Sequence, residues 1–164
     1  MSDPELIRGR VRENLALVRG RVDEACRRAG RAPKDVRIVG VTKYVSADLA
    51  RLLLESGCVD LAESRPQSLW EKAEALAAAE PKPRWHLVGH LQRNKIRRTL
   101  PILSLLHSLD SRRLLDALAA EAALTGRVCE VLVEVNLTGD PARTGLARSE
   151  EHTSELQSQF RISY

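Results

Sequence analysis

Aromatic residues are scarce in this sequence: they make up 3% of 164 residues, with one Phe, two Tyr and two Trp. A base-stacking platform for single-stranded nucleic acid has little to be built from. No stretch approaches the roughly 20 apolar residues that a helix needs to cross a bilayer. The N-terminus, Met-Ser-Asp-Pro-Glu-Leu-Ile-Arg, carries charge from its third residue and does not read as a secretory signal. Cysteine pairs are also absent. Cys26, Cys58 and Cys129 lie far apart, with no Cys-x-x-Cys or Cys/His spacing. Neither a disulfide scaffold nor a structural zinc site is expected, and a reducing cytoplasm suits such a chain. Charge of one sign is lacking too. Lys and Arg number 26 against 22 Asp and Glu, with the signs interleaved, which reads as mixed helix surfaces rather than a nucleic-acid footprint. The sequence holds no Gly-x-Gly-x-x-Gly, P-loop, His-Glu-x-x-His or Gly-x-Ser-x-Gly motif, which lowers the nucleotide, zinc-protease and hydrolase readings.

What is present is a globular composition, 43% hydrophobic, enough for one domain with a single core. The first segment reads as a long helix. Asp3 can cap it, Pro4 and Glu5 suit its first turn, and Ile7, Val11, Leu15, Val18, Val22 and Ala25 form an apolar stripe that Gly30 closes. Apolar β-branched runs follow at Val36–Thr42, Val59–Ala62, Trp85–Val88, Leu105–Ser108 and Glu130–Asn136. Between them lie helical patterns: one capped by Ser46 and ended by Gly57, one from Arg65 to about Ala79, a basic one starting near Gln92, and one capped by Asp110 or Ser111 and closed by Gly126. The strands start at intervals of about 20 to 26 residues, the length of a strand, a helix and two loops. This repeated βα unit predicts a parallel sheet. Five units fit an open doubly wound sheet or part of an eight-unit barrel, and periodicity does not choose between them.

In either architecture ligands bind at the carboxyl ends of the strands. Lys43 sits at that end of the first strand, where a partly desolvated amine can form a Schiff base with an aldehyde; position alone equally allows an ordinary loop lysine. The other strand ends supply Glu63 and Ser64, then His86 with Gly89 and His90, then Ser108 and Asp110, then Asn136. Each singly is weak: His86 can be a satisfied core histidine, Asp110 a helix cap, Ser108 and Asn136 loop organisers. Gln92-Arg-Asn-Lys-Ile-Arg-Arg98 is a basic cluster that could meet phosphates or RNA, or be a solvated helix face.

The ordered set is more specific than its parts. Val41-Thr-Lys43, Glu63 with Gln67, Trp85-His-Leu-Val-Gly-His-Leu-Gln-Arg-Asn-Lys95, His107-Ser-Leu-Asp110, Val135-Asn-Leu137 and Thr144-Gly145 appear in this order. Over roughly residues 5 to 147 the chain closely resembles the pyridoxal phosphate homeostasis protein family. The resemblance implies a partial (β/α)8 TIM-type barrel of about five βα units with an N-terminal helix, like the N-terminal domain of alanine racemase. It implies pyridoxal 5′-phosphate held as a Schiff base on Lys43, with Ser64, His86, Ser108 and Asn136 lining the pocket. It also implies a cytoplasmic, monomeric parent that carries or regulates the cofactor, with no established turnover, no membrane partner and no catalytic residue to assign.

Two positions depart from the family pattern. Ala62-Glu63-Ser64 stands where the family usually has Gly-Glu-Asn, and Arg143 where it often has lysine; arginine cannot form a Schiff base. Length departs as well, because a full barrel takes about 250 residues and about three further units. Those units would carry the glycine-rich phosphate cradle. Arg148–Ser158 has one apolar residue and reads as an in-frame translation of a sequencing adapter, so 148–164 is expected to be non-native. A half-barrel is expected to leave sheet edges open at its first and fifth strands, favouring self-association. Two other readings remain: a basic RNA-binding module using Gln92–Arg98, and a complete small doubly wound domain for a phosphorylated metabolite.

Overall fold

The computed structural model describes residues 4–140 and 142–147; the expected cap Asp3 and the adapter-like 148–164 lie outside the described residues. The first helix, α1 (Pro4–Arg28), begins with Glu5 in its first turn and ends with Arg27 and Arg28 in its last, the charges that complement a helix dipole. Its stripe is used only in part. Leu15 is buried, Ile7, Val11 and Val22 are half-buried, and Val18 and Ala25 stay exposed, while Cys26 rather than Ala25 packs inward.

Five strands follow: β1 (Gly40–Val41), β2 (Asp60–Glu63), β3 (Arg84–Leu87), β4 (Leu103–Leu109) and β5 (Glu130–Val133). All neighbours are parallel, in the order β1-β2-β3-β4-β5. That order decides between the two architectures. A doubly wound sheet reverses its winding at a switch point, whereas a barrel lays each strand beside the one before. Sequential order is barrel winding, so the complete doubly wound domain is ruled out.

One face of the sheet carries the core. Leu61, Trp85, Leu87, Leu106 and Val131 pack there against Leu54 of α2 (Ala47–Glu55), Leu69 of α3 (Pro66–Ala75), Ile96 of α4 (Ile96–Thr99) and Leu114 and Leu118 of α5 (Arg112–Thr125). The register puts Val41, Ala62, His86 and Leu105 in one row on the other face, the inner face of barrel winding. Val41 is 52% exposed there.

Several boundaries differ from the sequence expectation, each for a physical reason. The first strand is paired only at Gly40 and Val41, because β1 is an edge and Gly40 already faces Leu61, so the upstream residues run past the start of β2. The basic helix is short: a 3-10 turn over Arg93–Lys95, then α4, then a second 3-10 turn over Leu100–Ile102, where Pro101 offers no N–H to continue. The fifth strand splits. Beyond β5 the chain turns away as β6 (Val135–Asn136), which pairs in parallel with β7 (Leu146–Ala147). Ser46 and Ser111 cap α2 and α5 by accepting from Leu49 N and Leu114 N; Asp110 is not a cap. Among the described residues no helix is long and apolar enough to cross a membrane.

Candidate functional site

The carboxyl ends of β2, β3 and β4 are tied to one another. Val88 N donates to Glu63 O at 2.9 Å, and the Ser108 hydroxyl donates to Gly89 O at 2.7 Å. Gly89 lies so close to the chain beyond β2 that a Cβ there would sit 2.1 Å from the Ser64 carbonyl oxygen. His90 Nδ1 donates to Asp110 Oδ2 at 2.6 Å, with Asp110 nearly buried and the imidazole largely exposed. Ser64, Ser108 and the His90–Asp110 pair thus share one rim. The Ser64 hydroxyl itself has no hydrogen-bond partner among the described residues.

Lys43 occupies the turn that follows β1 at the same end of the sheet, and it is exposed rather than the partly desolvated amine of the sequence expectation, because the turn projects beyond the paired part of this edge strand. Its Nζ lies 4.8 Å from the centre of the Tyr44 ring and makes no ion pair among the described residues. Behind it sits a buried polar cluster. Thr42 N donates to Ala62 O at 2.8 Å, and the Thr42 hydroxyl donates to Glu63 Oε1 at 2.6 Å. Lys72 Nζ, reaching from α3, donates to Thr42 O at 2.6 Å and forms an ion pair with Glu63 Oε1. The turn then closes on the same Thr42 carbonyl, which accepts from Val45 N at 3.0 Å.

Asn136 lies apart from this rim. Its amide donates to Asp140 O at 2.8 Å, and its oxygen accepts from Thr138 N and the Thr138 hydroxyl at 3.1 and 2.8 Å, so the side chain organises its own loop. The loop returns at Gly145, whose φ of +113° and contact with Asn136 N (2.8 Å from a built Cβ) demand glycine.

His86 is fully buried in the middle of β3 rather than at the rim. Its Nε2 meets Asp60 Oδ1 at 3.1 Å and its Nδ1 meets His107 Nε2 at 2.9 Å. A carboxylate only accepts, so Nε2 carries the His86 proton and Nδ1 accepts from His107. Arg84 completes the network with two bonds to Asp60, at 2.8 and 2.6 Å. Burial holds the His86 imidazole below its ordinary pKa, although the bond to Asp60 works against it. Burial and the neighbouring His86 do the same to His107. Burial also raises the Asp60 carboxyl, but the Arg84 and His86 bonds outweigh it and leave the group below the usual carboxylate range.

Two features escaped the sequence reading. Asp60 joined no motif and His107 entered only as part of the strand-four motif; only the tertiary contacts reveal that they flank His86. Lys72 left a signal, since it falls three residues after Leu69 and four before Leu76, in the buried stripe of α3. In the basic cluster, Arg98 stacks over the Trp70 ring at 4.2 Å, and Trp70 Nε1 donates to Thr99 at 3.1 Å, so part of that cluster serves to pack α4 on α3.

No family model matches the chain. Curated proteins do. The pyridoxal phosphate homeostasis protein of Aquifex aeolicus is 34% identical over 134 residues, 82% of this chain and 58% of the relative. That of Deinococcus radiodurans is 41% identical over 114 residues, 69% of this chain and 52% of the relative. The chain belongs to the pyridoxal phosphate homeostasis protein family. It spans little more than half the length of these family members. Among solved structures, PipY of Synechococcus elongatus with pyridoxal phosphate bound is 26% identical, with a TM-score of 0.77 over 93% of this chain and 66% of its own. Alanine racemase of Streptomyces coelicolor, 20% identical with a TM-score of 0.56 over 91% of this chain, shares the fold. The described residues hold five parallel strands in barrel order with helices between them, in keeping with that fold.

Proposed function

We propose that this chain holds pyridoxal 5′-phosphate through Lys43 and takes part in keeping the intracellular supply of that cofactor in balance, as a carrier or regulator. The observation that carries the reading is Lys43 itself: an exposed amine on a turn at the carboxyl end of β1, without a carboxylate partner among the described residues. The cofactor brings an aldehyde carbon, for which a free amine is the chemical partner. Lys43 Nζ would be the group that holds the cofactor, and the cofactor's aldehyde would supply the electrophile. The free Ser64 hydroxyl is available to a ligand on this rim, and the Ser108–Gly89 bond fixes the rim's shape. His86 and Asn136 have their polar atoms engaged, and so contribute by shaping the inner face and the adjoining loop. The PipY structure with pyridoxal phosphate bound supports the choice of ligand. The three free, buried cysteines fit a reducing cytoplasm, and the interleaved charges fit a small-molecule rather than a nucleic-acid partner.

Mixing the protein with pyridoxal phosphate, reducing with borohydride and mapping the labelled peptides tests this. Lys43 should take up label well ahead of the exposed Lys34 and Lys82, and Lys43→Ala should remove the visible absorption band. Label spread evenly over the exposed lysines would overturn the assignment.

A further inference from the structure

The amine proposed to hold the cofactor has nothing gripping its own side chain, yet the residue before it is held at every polar atom. Thr42 N is bonded to Ala62, its hydroxyl to Glu63, and its carbonyl to Lys72 and to Val45. Lys43 is the second residue of the turn that the Val45–Thr42 bond closes. The place of its Cα is therefore set by a carbonyl that a buried ammonium holds from behind. We propose that Glu63 and Lys72, acting through Thr42, are positioning residues for Lys43. The inference rests on the reading of Lys43 given above.

Three observations support it. The first is placement. Lys72 stands in the apolar stripe of α3 between Leu69 and Leu76, where a leucine or methionine would pack without desolvating a charge. Buried ion pairs are poor stabilisers, because the loss of hydration offsets much of their attraction. Packing alone therefore gives no reason for this lysine. The second is convergence. Groups from two other elements, the end of β2 and the middle of α3, meet on one residue at the end of β1. None of them reaches the outer surface, since Glu63 is 1% and Lys72 8% exposed. The third is a shared acceptor: Glu63 Oε1 bonds both Thr42 and Lys72, which couples the two contacts on Thr42 through one atom.

The consequence is a turn that stays in one place while its lysine remains open to solvent. Preorganisation of this kind raises the rate at which an exposed nucleophile meets a ligand at the rim, without changing the nucleophile.

Borohydride trapping with pyridoxal phosphate as the probe gives the test, with the label at Lys43 divided by the label at Lys82 in the same molecule. Thr42→Val removes the hydroxyl donor and should lower that ratio about tenfold, the scale of one charge-assisted hydrogen bond. Thr42→Ser keeps the donor and should restore it. Glu63→Gln should also lower the ratio, because the amide no longer pairs with the Lys72 ammonium. Circular dichroism of each variant at the labelling temperature shows whether it is folded. Trace acetylation with acetic anhydride, in the absence of cofactor and across pH, gives a second readout. The Lys43/Lys82 acetylation profile should stay the same in Thr42→Val and Thr42→Ser, because the amine itself is unaltered, so a fall confined to pyridoxal phosphate labelling marks lost positioning. Folded Thr42→Val or Glu63→Gln with an unchanged Lys43/Lys82 ratio of pyridoxal phosphate label would overturn the positioning role. Even labelling of Lys43 and Lys82 in the unsubstituted protein would instead overturn the assignment of Lys43 itself.

Discussion

Replacing Asp60 with Asn probes the network on the inner face most directly. Asp60 accepts from Arg84 at 2.8 and 2.6 Å and from His86 at 3.1 Å. An amide keeps one oxygen and turns an NH2 toward a group that can only donate. Arg84 is half exposed, so its ion pair is worth no more than about 1 kcal/mol. The His86 side chain is fully buried, and losing a charged acceptor there costs about 1.5 to 3 kcal/mol. The sum is about 1.5 to 4 kcal/mol, a fall in Tm of roughly 3 to 16 °C for a chain of this size. The pH dependence carries the sharper signature. Burial depresses the folded-state pKa of His86 and of His107, so the unfolded chain takes up protons that the folded chain resists. Stability is then full above the unfolded histidine value, about 6.5, and declines as the pH falls through it toward the folded values. In Asp60→Asn the bond and charge that partly supported the His86 proton are gone, its pKa drops further, and the decline between pH 7 and pH 5 becomes larger. Urea unfolding at both pH values reads the two effects. A variant as stable as the parent at pH 7, or one with a smaller acid decline, would show that Asp60 does not support His86.

Two further outcomes follow from the same geometry. Gly89→Ala forces a Cβ to within 2.1 Å of the Ser64 carbonyl oxygen, a backbone atom that can yield only by moving the rim, and should cost about 1 to 3 kcal/mol or more. Gly20→Ala in the open middle of α1 meets nothing within 4 Å and should instead stabilise by about 0.5 to 1 kcal/mol; urea titration of the pair checks the contrast. The Cys129 thiol is pushed up to about 11 by burial, and Cys58 is raised for the same cause. At pH 8 the folded protein should therefore resist thiol reagents at both, whereas all three cysteines should react in urea. Rapid labelling of the folded chain would show that these sites open.

How far the site could be read in advance varied residue by residue. Lys43 and Ser64 follow strand patterns, and their place at the carboxyl end follows from chain direction alone. His86 reads as lying within its strand, with a core or a pocket role left open, and the pairing with Ala62 fixes its level in the sheet below the rim groups. Asp110 had seemed the simpler helix cap, until Ser111 took that role and left Asp110 to His90. Lys72 was hidden by its type: a lysine on a helix reads as surface, and only the buried Glu63 opposite explains its inward turn.

Local hydrophobic pattern, cap residues and chain direction come from neighbours a few positions away, so the sequence by itself determined the βα repeat, the helix start at Ser46, and the rim that carries Lys43. The winding of the sheet, the shortened first strand, the Asp60–His86–His107 chain and the cluster behind Thr42 all rest on which distant segment lies alongside which. Those pairings are won by burial summed over the whole core, and only the tertiary structure decided them.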